Sequence, residues 1–388
     1  MLERQQIYTI VLLLGLIIPS LAIPKELQTA RILTETWKPP QYGLQKFIGY
    51  DVNTFKIPDE MQNEVNFWID IYSKYTTQQG VFHIAGSTDK ILGEIDLTQV
   101  YANPKWGPVR KEIEAEKVIQ NQRKLIAKKY NISDIKKIRL QTGLKDRMLK
   151  AIQVSGRYLP MMEEIFKKEK IPVELTRVVF VESSFNITAG SKVGASGLWQ
   201  IMPSLAKKSN YIEEAHDLRL HPEYSTRLAA KILKENYQIT KSWPLAVTAY
   251  NHGVGSLIKI IKKYKSNDIA FLIRNVDSRK SFGFASRNFY ATFLAALYVE
   301  SHANLYFPEP LLKEPALQTK VARLKNKMSY DELLDYFNND TEMLTKLNPQ
   351  LKLTYIKKKK FVPVGTVVSF PIKEKLASDT TGSEKEGS

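Results

Sequence analysis

The sequence predicts a mainly α protein that ends in a small domain of the order β-α-α-β, and three observations support this fold class. From residue 143 to 305, apolar residues recur at helical spacing in one segment after another, joined by short connections that carry Gly, Pro or Asn. Three prolines between residues 307 and 318 then interrupt the helical pattern. Beyond them, two strand-like runs flank two short helix-like runs.

The N-terminus has the pattern of a secretory signal peptide over residues 1–22. Arg4 precedes the apolar run IYTIVLLLGLII, and PSLA follows with small residues at Ser20 and Ala22. The apolar run is short for a membrane-spanning helix. We therefore expect export to the periplasm or cell envelope, with membrane association only if the leader stays uncleaved.

Residues 23–142 are predicted to form a helical and irregular arm without catalytic chemistry. EVNFWIDIYSKY (64–75) has an apolar stripe at helical spacing, and KEIEAEKVIQNQRKLIAKKY (111–130) is a strongly charged, surface-lying helix. The stretch between them is rich in turn-forming residues and is predicted to be loops.

The remaining chain divides into four predicted parts. Residues 143–305 form an all-helical domain, 306–318 a linker, 319–372 the small C-terminal domain, and 373–388 a polar, disordered tail. In the C-terminal domain, Ser329 and Thr341 are the expected N-caps of the two helices.

Composition narrows the classes of partner and cofactor. The 57 Lys and Arg residues exceed the 40 Asp and Glu residues and give a net charge of +17, which favours an acidic partner. Export and the lack of a DNA- or RNA-binding motif argue against nucleic acid. The absence of cysteine excludes disulfides and thiol chemistry, and the five histidines form no zinc-binding pattern. We expect no metal and no cofactor.

Glu182 is the residue whose position calls for a chemical explanation. Leu175, Val178 and Val179 precede it at helical spacing, so its carboxylate lies on the apolar stripe of the predicted helix. Desolvation would raise its pKa from about 4.3 toward about 6 or 7, the range of a general acid at neutral pH. The alternative is a buried glutamate that backbone donors or Arg177 satisfy.

Three motifs around this residue resemble those of one enzyme family. ESSFN (182–186), SKVGASGLWQIMP (191–203) and AYNHG (249–253) are similar to the signature blocks of lytic transglycosylases with a goose-type lysozyme fold. SGRYLPMMEEIF (155–166) and GLWQ resemble the membrane-bound murein transglycosylase D type in particular. The resemblance implies a lysozyme-like catalytic domain in which Glu182 is the catalytic acid and base. It also implies a set of substrate-binding residues: Ser191, Gly197, Gln200, Tyr250 and Asn251.

The resemblance further implies the substrate and the reaction. The substrate, and hence the expected partner, is the glycan strand of peptidoglycan. One carboxylic acid would first protonate the bond between N-acetylmuramic acid and N-acetylglucosamine. As a carboxylate it would then deprotonate the muramoyl 6-hydroxyl, which closes a 1,6-anhydro ring. An ordinary glycosidase needs two carboxylates, so a second carboxylate from Asp217 or Glu213 would indicate a hydrolytic muramidase instead. A non-catalytic wall-binding scaffold is a further alternative.

Several positions depart from the family pattern or stay open. His252 replaces the usual alanine of AYNAG, and we interpret it as a partly exposed residue at a helix end. Phe289 stands where the family has a tyrosine, and Tyr290 is an alternative source of that hydroxyl. Trp199 and Met202 fit either the groove or the core.

The C-terminal domain resembles a lysin motif, a module that binds N-acetylglucosamine-containing glycans. Lys327, Met328 and Ser329 stand where the usual Gly-Asp-Thr is expected. A small structural cap is therefore the alternative interpretation.

Overall fold

The computed structural model describes residues 30–32, 54–88, 90–276 and 282–372. The predicted signal peptide and the predicted disordered tail lie outside these residues. Among the described residues, those up to Gln153 and those of Ile232–Leu312 form a first compact unit. Val154–Lys231 and the residues from Lys313 onward form a second unit. The predicted catalytic segment, residues 143–305, therefore contributes to both units.

The protein is mainly α, as the sequence predicts. The described α-helices are, in chain order, α1 (Gln62–Ser73), α2 (Thr98–Ala102), α3 (Pro108–Lys129), α4 (Lys145–Ser155), α5 (Leu159–Lys168), α6 (Val178–Glu182), α7 (Pro203–Lys208), α8 (Pro222–Thr240), α9 (Trp243–His252), α10 (Val254–Tyr264), α11 (Ile269–Asn275), α12 (Phe284–Ser301), α13 (Ala303–Tyr306), α14 (Tyr330–Asp335), α15 (Thr341–Leu347) and α16 (Leu353–Lys359). Short 3-10 helices cover Asp59–Met61, Ile135–Lys137, Val173–Arg177 and Leu218–Leu220. None of the described helices is both long enough and apolar enough to cross a bilayer.

A four-stranded antiparallel sheet in the first unit was not expected from the sequence. Its strands are β1 (Ala30–Ile32), β2 (Gln79–Ile84), β3 (Ile91–Asp96) and β4 (Ile138–Thr142), in the order β1-β3-β2-β4. The prediction of an irregular arm over residues 23–142 is wrong in this respect. β2 and β3 are largely buried on both faces, so they lack the alternation of apolar and polar residues that identifies a half-buried strand.

Helix α3 covers one face of this sheet. Gly107 precedes it, Pro108 opens it, and Lys128 and Lys129 lie in its last turn, where cations interact favourably with the helix dipole. Its buried stripe joins the sheet residues in one apolar cluster: Phe82, Leu92, Ile95, Leu97, Val100, Ala115, Val118, Ile126 and Ile138. The helix predicted over residues 111–130 is confirmed, and its apolar side is part of a core.

Helices α1 and α12 form the other core of the first unit. α12 is buried almost along its whole length from Asn288 to Glu300, and it packs against α1. Nε1 of Trp68 in α1 donates a 2.9 Å hydrogen bond to Oδ1 of Asn288. This bond satisfies two polar groups that burial would otherwise leave costly.

In the second unit, Trp199 lies in the core. Its ring stacks on Phe166 of α5 at a centroid distance of 5.6 Å, and its Nε1 donates to Oγ1 of Thr226 over 2.9 Å. Trp199 is fully buried, so of the two interpretations of this residue the core is correct. Met202 is exposed over 37% of its surface and remains available to line a groove.

The segment predicted as a linker has no helix or strand over residues 307–318, yet its second half is held in place. The backbone N–H of Leu317 donates to the carbonyl of Arg157 over 3.1 Å, and the Arg157 guanidinium pairs with Glu314. A Cβ at Gly156 would lie 2.3 Å from the carbonyl oxygen of Glu314. These contacts all lie within the second unit.

The C-terminal domain contains two predicted helices and one that was not predicted. β5 (Thr319–Arg323) pairs with β8 (Val367–Pro371), and β6 (Met328–Ser329) pairs with β7 (Phe361–Val362), both antiparallel. Ser329 caps α14 in a capping box with Glu332, as predicted. The cap of α15 is Asp340 rather than Thr341, because its carboxylate accepts the N–H of Met343.

The unpredicted helix is α16, which adds a third helix to the expected β-α-α-β order. Ile356 in α16 is fully buried, and the lysine run 357–359 forms the last helical turn, a favourable place for cations. With one buried residue over its seven positions, this short helix has too little apolar periodicity for the sequence to reveal it.

The C-terminal domain packs against residues 211–221 of the same unit. The N–H of Asp217 donates to the Gln350 carbonyl over 2.8 Å, and that of Lys352 donates to the Ala215 carbonyl over 2.8 Å. His221 is buried beside Oγ of Ser369 at 3.0 Å, and burial lowers its pKa to about 3. A neutral histidine is therefore part of this packing.

Candidate active site

Glu182 is the last residue of α6, and the chain reverses direction immediately after it. Ser184 and Phe185 adopt left-handed φ angles of 51° and 57°, which are unfavourable for non-glycine residues. The Phe185 side chain is buried, with its ring 4.8 Å from that of Phe180 in an edge-to-face contact. Burial of this ring stabilises the strained turn that follows Glu182.

The surroundings of Glu182 favour its protonated form. Burial raises the pKa of the carboxyl group from its usual 4.5 to about 8. The side chain keeps part of its surface exposed, so a ligand can reach it although protein atoms exclude most water. No hydrogen bond or ion pair joins its carboxyl group to another described residue. Arg177, the alternative partner from the sequence, pairs with Glu163 over 2.5 Å.

Residues 190–201 form a compact double turn connected to the end of α6. Ser196 makes antiparallel bridges to Gly190 and to Ile201. Oγ of Ser183, next to Glu182, donates to the Leu198 carbonyl over 2.8 Å. This hydrogen bond connects the helix that carries the acid to the GLWQ turn.

Gly197 is required by close packing against protein backbone. Its φ angle is 80°, and a Cβ there would lie 2.1 Å from the carbonyl oxygen of Arg219. Its N–H donates to the Ala189 carbonyl over 2.8 Å. The close approach of the chain at residue 219 therefore requires glycine at position 197, which is also a predicted substrate-binding residue. Gly194 also has a left-handed φ of 87°.

Arg219 and Asp217 support this double turn, and the sequence analysis did not assign them this role. Nη1 of Arg219 donates to the carbonyls of Gly194 and Ile201 over 2.6 and 3.2 Å. The other edge of the guanidinium binds the Asp217 carboxylate, with Nε–Oδ1 at 3.0 Å and Nη2–Oδ2 at 2.7 Å. Asp217 also accepts the backbone N–H of Arg219. The spacing Asp-x-Arg in DLRL was the only sequence signal for this pair.

This double turn contains two of the predicted substrate-binding residues, Ser191 and Gln200. The Ser191 hydroxyl accepts the N–H of Ala195 over 2.9 Å, and the residue is exposed, so its O–H can still donate to a ligand. Nε2 of Gln200 donates to the carbonyls of Ala189 and Gly197 over 3.0 and 2.9 Å. The Gln200 amide nitrogen therefore holds the turn, and its oxygen is the atom left for a ligand.

Tyr250 and Asn251 belong to the first unit, at the end of α9. Tyr250 is half-buried and Asn251 is exposed. The structure brings Asn251 together with Ser286, whose hydroxyl donates to Oδ1 of Asn251 over 3.1 Å. His252 is half-buried with Nδ1 3.1 Å from Oγ of Ser286. These residues are described within their own unit, and their part in a site with Glu182 is a proposal.

Tyr290 does not offer a hydroxyl at the surface. It is fully buried in α12, its ring stacks on Phe293 at 6.2 Å, and its hydroxyl has no hydrogen-bond partner among the described residues. Burial raises its pKa above the usual 10. The alternative that Tyr290 replaces the family's tyrosine hydroxyl is therefore not supported. Within the described parts of the chain, no three His, Asp or Glu residues form a metal-binding group.

Comparison with known proteins matches the segment that contains these residues. Residues 161–273 match the family model described as the Transglycosylase SLT domain. The chain is 35% identical over 102 residues to the membrane-bound lytic murein transglycosylase D of Escherichia coli, covering 26% of this chain and 23% of that protein. It is 31% identical over 128 residues to a putative tributyltin chloride resistance protein of Alteromonas sp., covering 32% of this chain and 62% of that protein. The matches thus span less than two thirds of either relative.

Two solved structures give weaker similarities. The lytic transglycosylase Slt of Pseudomonas aeruginosa, an inactive mutant, aligns at 20% identity over 40% of this chain and 25% of that one, with a TM-score of 0.30. The 70-kDa soluble lytic transglycosylase of Escherichia coli aligns at 22% identity over 39% and 25%, with a TM-score of 0.29.

Proposed function

We propose that this chain, which carries a transglycosylase SLT domain over residues 161–273, is a peptidoglycan lytic transglycosylase. The observation that carries the proposal is the Glu182 carboxyl group, which burial holds protonated at neutral pH and which no described residue neutralises. A protonated carboxylic acid that remains reachable is what a general acid requires. The SLT match and the motifs around Glu182 support the choice of substrate.

Glu182 acts twice in the proposed reaction. It first gives its proton to the glycosidic oxygen between N-acetylmuramic acid and N-acetylglucosamine, and the bond from that oxygen to the muramoyl C1 breaks. The carboxylate so formed then takes the proton of the muramoyl 6-hydroxyl, whose oxygen attacks C1 and closes the 1,6-anhydro ring. The substrate's own N-acetyl group assists at C1. No water is consumed, and the enzyme ends in its starting protonation state.

The state of the other carboxylates supports the lyase over a hydrolytic muramidase. A hydrolase needs a second carboxylate as nucleophile or base. Asp217 makes a bidentate ion pair with Arg219, so its oxygens are already occupied. Glu213 is exposed, with Oε2 3.8 Å from Nε2 of His216 beside the C-terminal domain.

Substrate binding is assigned to groups that keep a free hydrogen-bonding atom. These are the Ser191 hydroxyl, the Gln200 amide oxygen and the Asn251 amide. Tyr250, next to Asn251 in the sequence, is proposed as a further substrate-binding residue. Gly197, also predicted to be a substrate-binding residue, is proposed to contribute by shaping the turn that carries Gln200. The lysin-motif-like domain is proposed to bind glycan, and the protein is proposed to act in the cell envelope, where its substrate lies.

Analysis of the soluble products from purified sacculi tests this function. We expect muropeptides with 1,6-anhydromuramoyl ends, which weigh one water less than the products of a muramidase. Reducing ends in their place would show that the hydrolytic alternative is correct. Binding to sacculi without release of any muropeptide would show that the chain is a scaffold.

A further inference from the structure

Asn251, His252 and Ser286 form a chain of hydrogen bonds in the first unit. α9 ends at His252, α12 begins at Phe284, and these helices pack together. Nδ1 of His252 lies 3.1 Å from Oγ of Ser286, and the Ser286 hydroxyl donates to Oδ1 of Asn251 over 3.1 Å. These hydrogen bonds join a half-buried imidazole to an exposed amide.

The surroundings of the other ring nitrogen determine where the His252 proton lies. Nε2 is buried and has no hydrogen-bond partner among the described residues, and the ring meets Phe282 edge-to-face at 5.1 Å. A buried N–H without an acceptor is rarer than an unbonded lone pair. The proton of the neutral imidazole therefore lies on Nδ1. Burial also lowers the pKa of His252, which keeps the ring neutral at neutral pH.

This tautomer fixes the direction of both hydrogen bonds. His252 Nδ1–H donates to Oγ of Ser286, and the single hydroxyl proton of Ser286 is given to Oδ1 of Asn251. With its oxygen turned toward the protein, the Asn251 amide presents its two N–H donors to a ligand. The opposite tautomer would reverse both bonds and would present the amide oxygen instead.

We propose that His252 and Ser286 are positioning residues that make Asn251 a hydrogen-bond donor to the substrate. The matching substrate group is an acceptor such as the carbonyl oxygen of an N-acetyl substituent on the sugar. The identity of this ligand rests on the proposed function, whereas the tautomer and the amide orientation do not. His252 replaces the alanine of the AYNAG pattern, so the resemblance to the family does not itself imply this chain of hydrogen bonds.

Nitrogen-15 NMR of the histidine rings in the full-length Glu182→Gln protein tests the tautomer without any substrate. We expect the His252 ring to be protonated on Nδ1, the tautomer that is less common in free histidine. In Ser286→Ala the preference for Nδ1 should weaken or disappear. If the His252 ring is protonated on Nε2 in the protein that keeps Ser286, the proposal is overturned.

Kinetics on solubilised glycan strands tests the effect on substrate binding. Ser286→Ala should raise KM by about 3- to 10-fold with kcat little changed, the loss expected for one neutral hydrogen bond. Ser286→Thr keeps the hydroxyl and should restore most of the affinity. Asn251→Asp, which removes the donors, should lose at least as much as Ser286→Ala. Ser256→Ala, an exposed serine on α10, is the matched control and should behave as the unsubstituted chain.

Equal KM values for Ser286→Ala and Ser256→Ala would overturn the proposal, as would full activity of Asn251→Asp. If Ser286→Ala also lowers the thermal midpoint, two other results test the proposal. Recovery of affinity in Ser286→Thr and protonation of His252 on Nδ1 in the protein that keeps Ser286 support it, and the absence of either overturns it. A chain with the expected tautomer that releases no muropeptides would refute the proposed function and leave the orientation of Asn251 intact.

Discussion

Replacing Glu182 by Gln is expected to lower the rate of muropeptide release by about 10²- to 10⁴-fold, the range that one general acid or base contributes. Glutamine keeps the size of the side chain but can neither donate the proton to the glycosidic oxygen nor accept one from the 6-hydroxyl. Binding to sacculi should remain, because the glycan contacts are assigned to other residues. The measurement is the initial rate of release of anhydro-muropeptides, together with a sacculus pull-down.

Glu164→Gln provides the matched control for this substitution. Glu164 is an exposed glutamate on α5 that pairs with Lys168, and its loss should leave the rate unchanged. A Glu182→Gln protein that digests sacculi at the rate of this control would show that the site assignment is wrong.

Glu182→Gln is also expected to change how the stability of the protein depends on pH. Between pH 4.5 and about 8 the folded chain retains the Glu182 proton that the unfolded chain has released. The free energy of unfolding of the unsubstituted protein therefore falls as pH rises through this window. A glutamine side chain does not titrate, so the stability of Glu182→Gln does not fall in this way. Its thermal midpoint should exceed that of the unsubstituted protein at pH 9 and approach it near pH 4.5. A midpoint difference that does not vary with pH would contradict the assigned pKa.

Replacing Gly197 by Ala is expected to destabilise the second unit by about 2 to 4 kcal/mol and to abolish activity at assay temperature. Alanine at a φ of 80° is strained, and its Cβ would lie 2.1 Å from the Arg219 carbonyl oxygen. Relief of that clash requires the double turn to move away from residue 219, and Gln200 and Leu198 would move with it. The measurements are thermal unfolding and the rate of muropeptide release.

Gly190→Ala is the control for the Gly197 substitution. Gly190 lies in the same double turn, is exposed, and has open space where a Cβ would be placed. This variant should keep its midpoint and most of its activity. If Gly197→Ala were as stable and active as Gly190→Ala, the close packing against residue 219 would not exist in solution.

Much of the helical architecture was predictable because apolar spacing directly reports a helix with one buried face. The segments around α1 and α3, and the helical run over residues 143–305, were recognised in this way. The sheet was missed because β2 and β3 are short and buried on both faces. Such runs show neither the apolar spacing of a helix nor the alternation of apolar and polar residues of a half-buried strand. α16 was missed because one buried isoleucine supports it.

The candidate site was predictable where a motif contains the chemistry and unpredictable where contacts cross long distances in the sequence. The position of Glu182 on an apolar stripe predicted a raised pKa, and the structure bears this out. The role of Arg219 depends on carbonyls 25 and 18 residues away, which no local pattern encodes. The environment of His252 likewise depends on Ser286, 34 residues further along the chain.

The most direct test of the account is a titration of the Glu182 carboxyl group in the full-length protein. Infrared difference spectra between the unsubstituted chain and Glu182→Gln, recorded from pH 4 to pH 10, isolate the C=O band of this one acid. We predict a protonated carboxylic acid at pH 7 whose band disappears with a midpoint near pH 8, the value that burial gives the group. A midpoint near 4.5, the value of an ordinary solvated glutamate, would contradict the central claim.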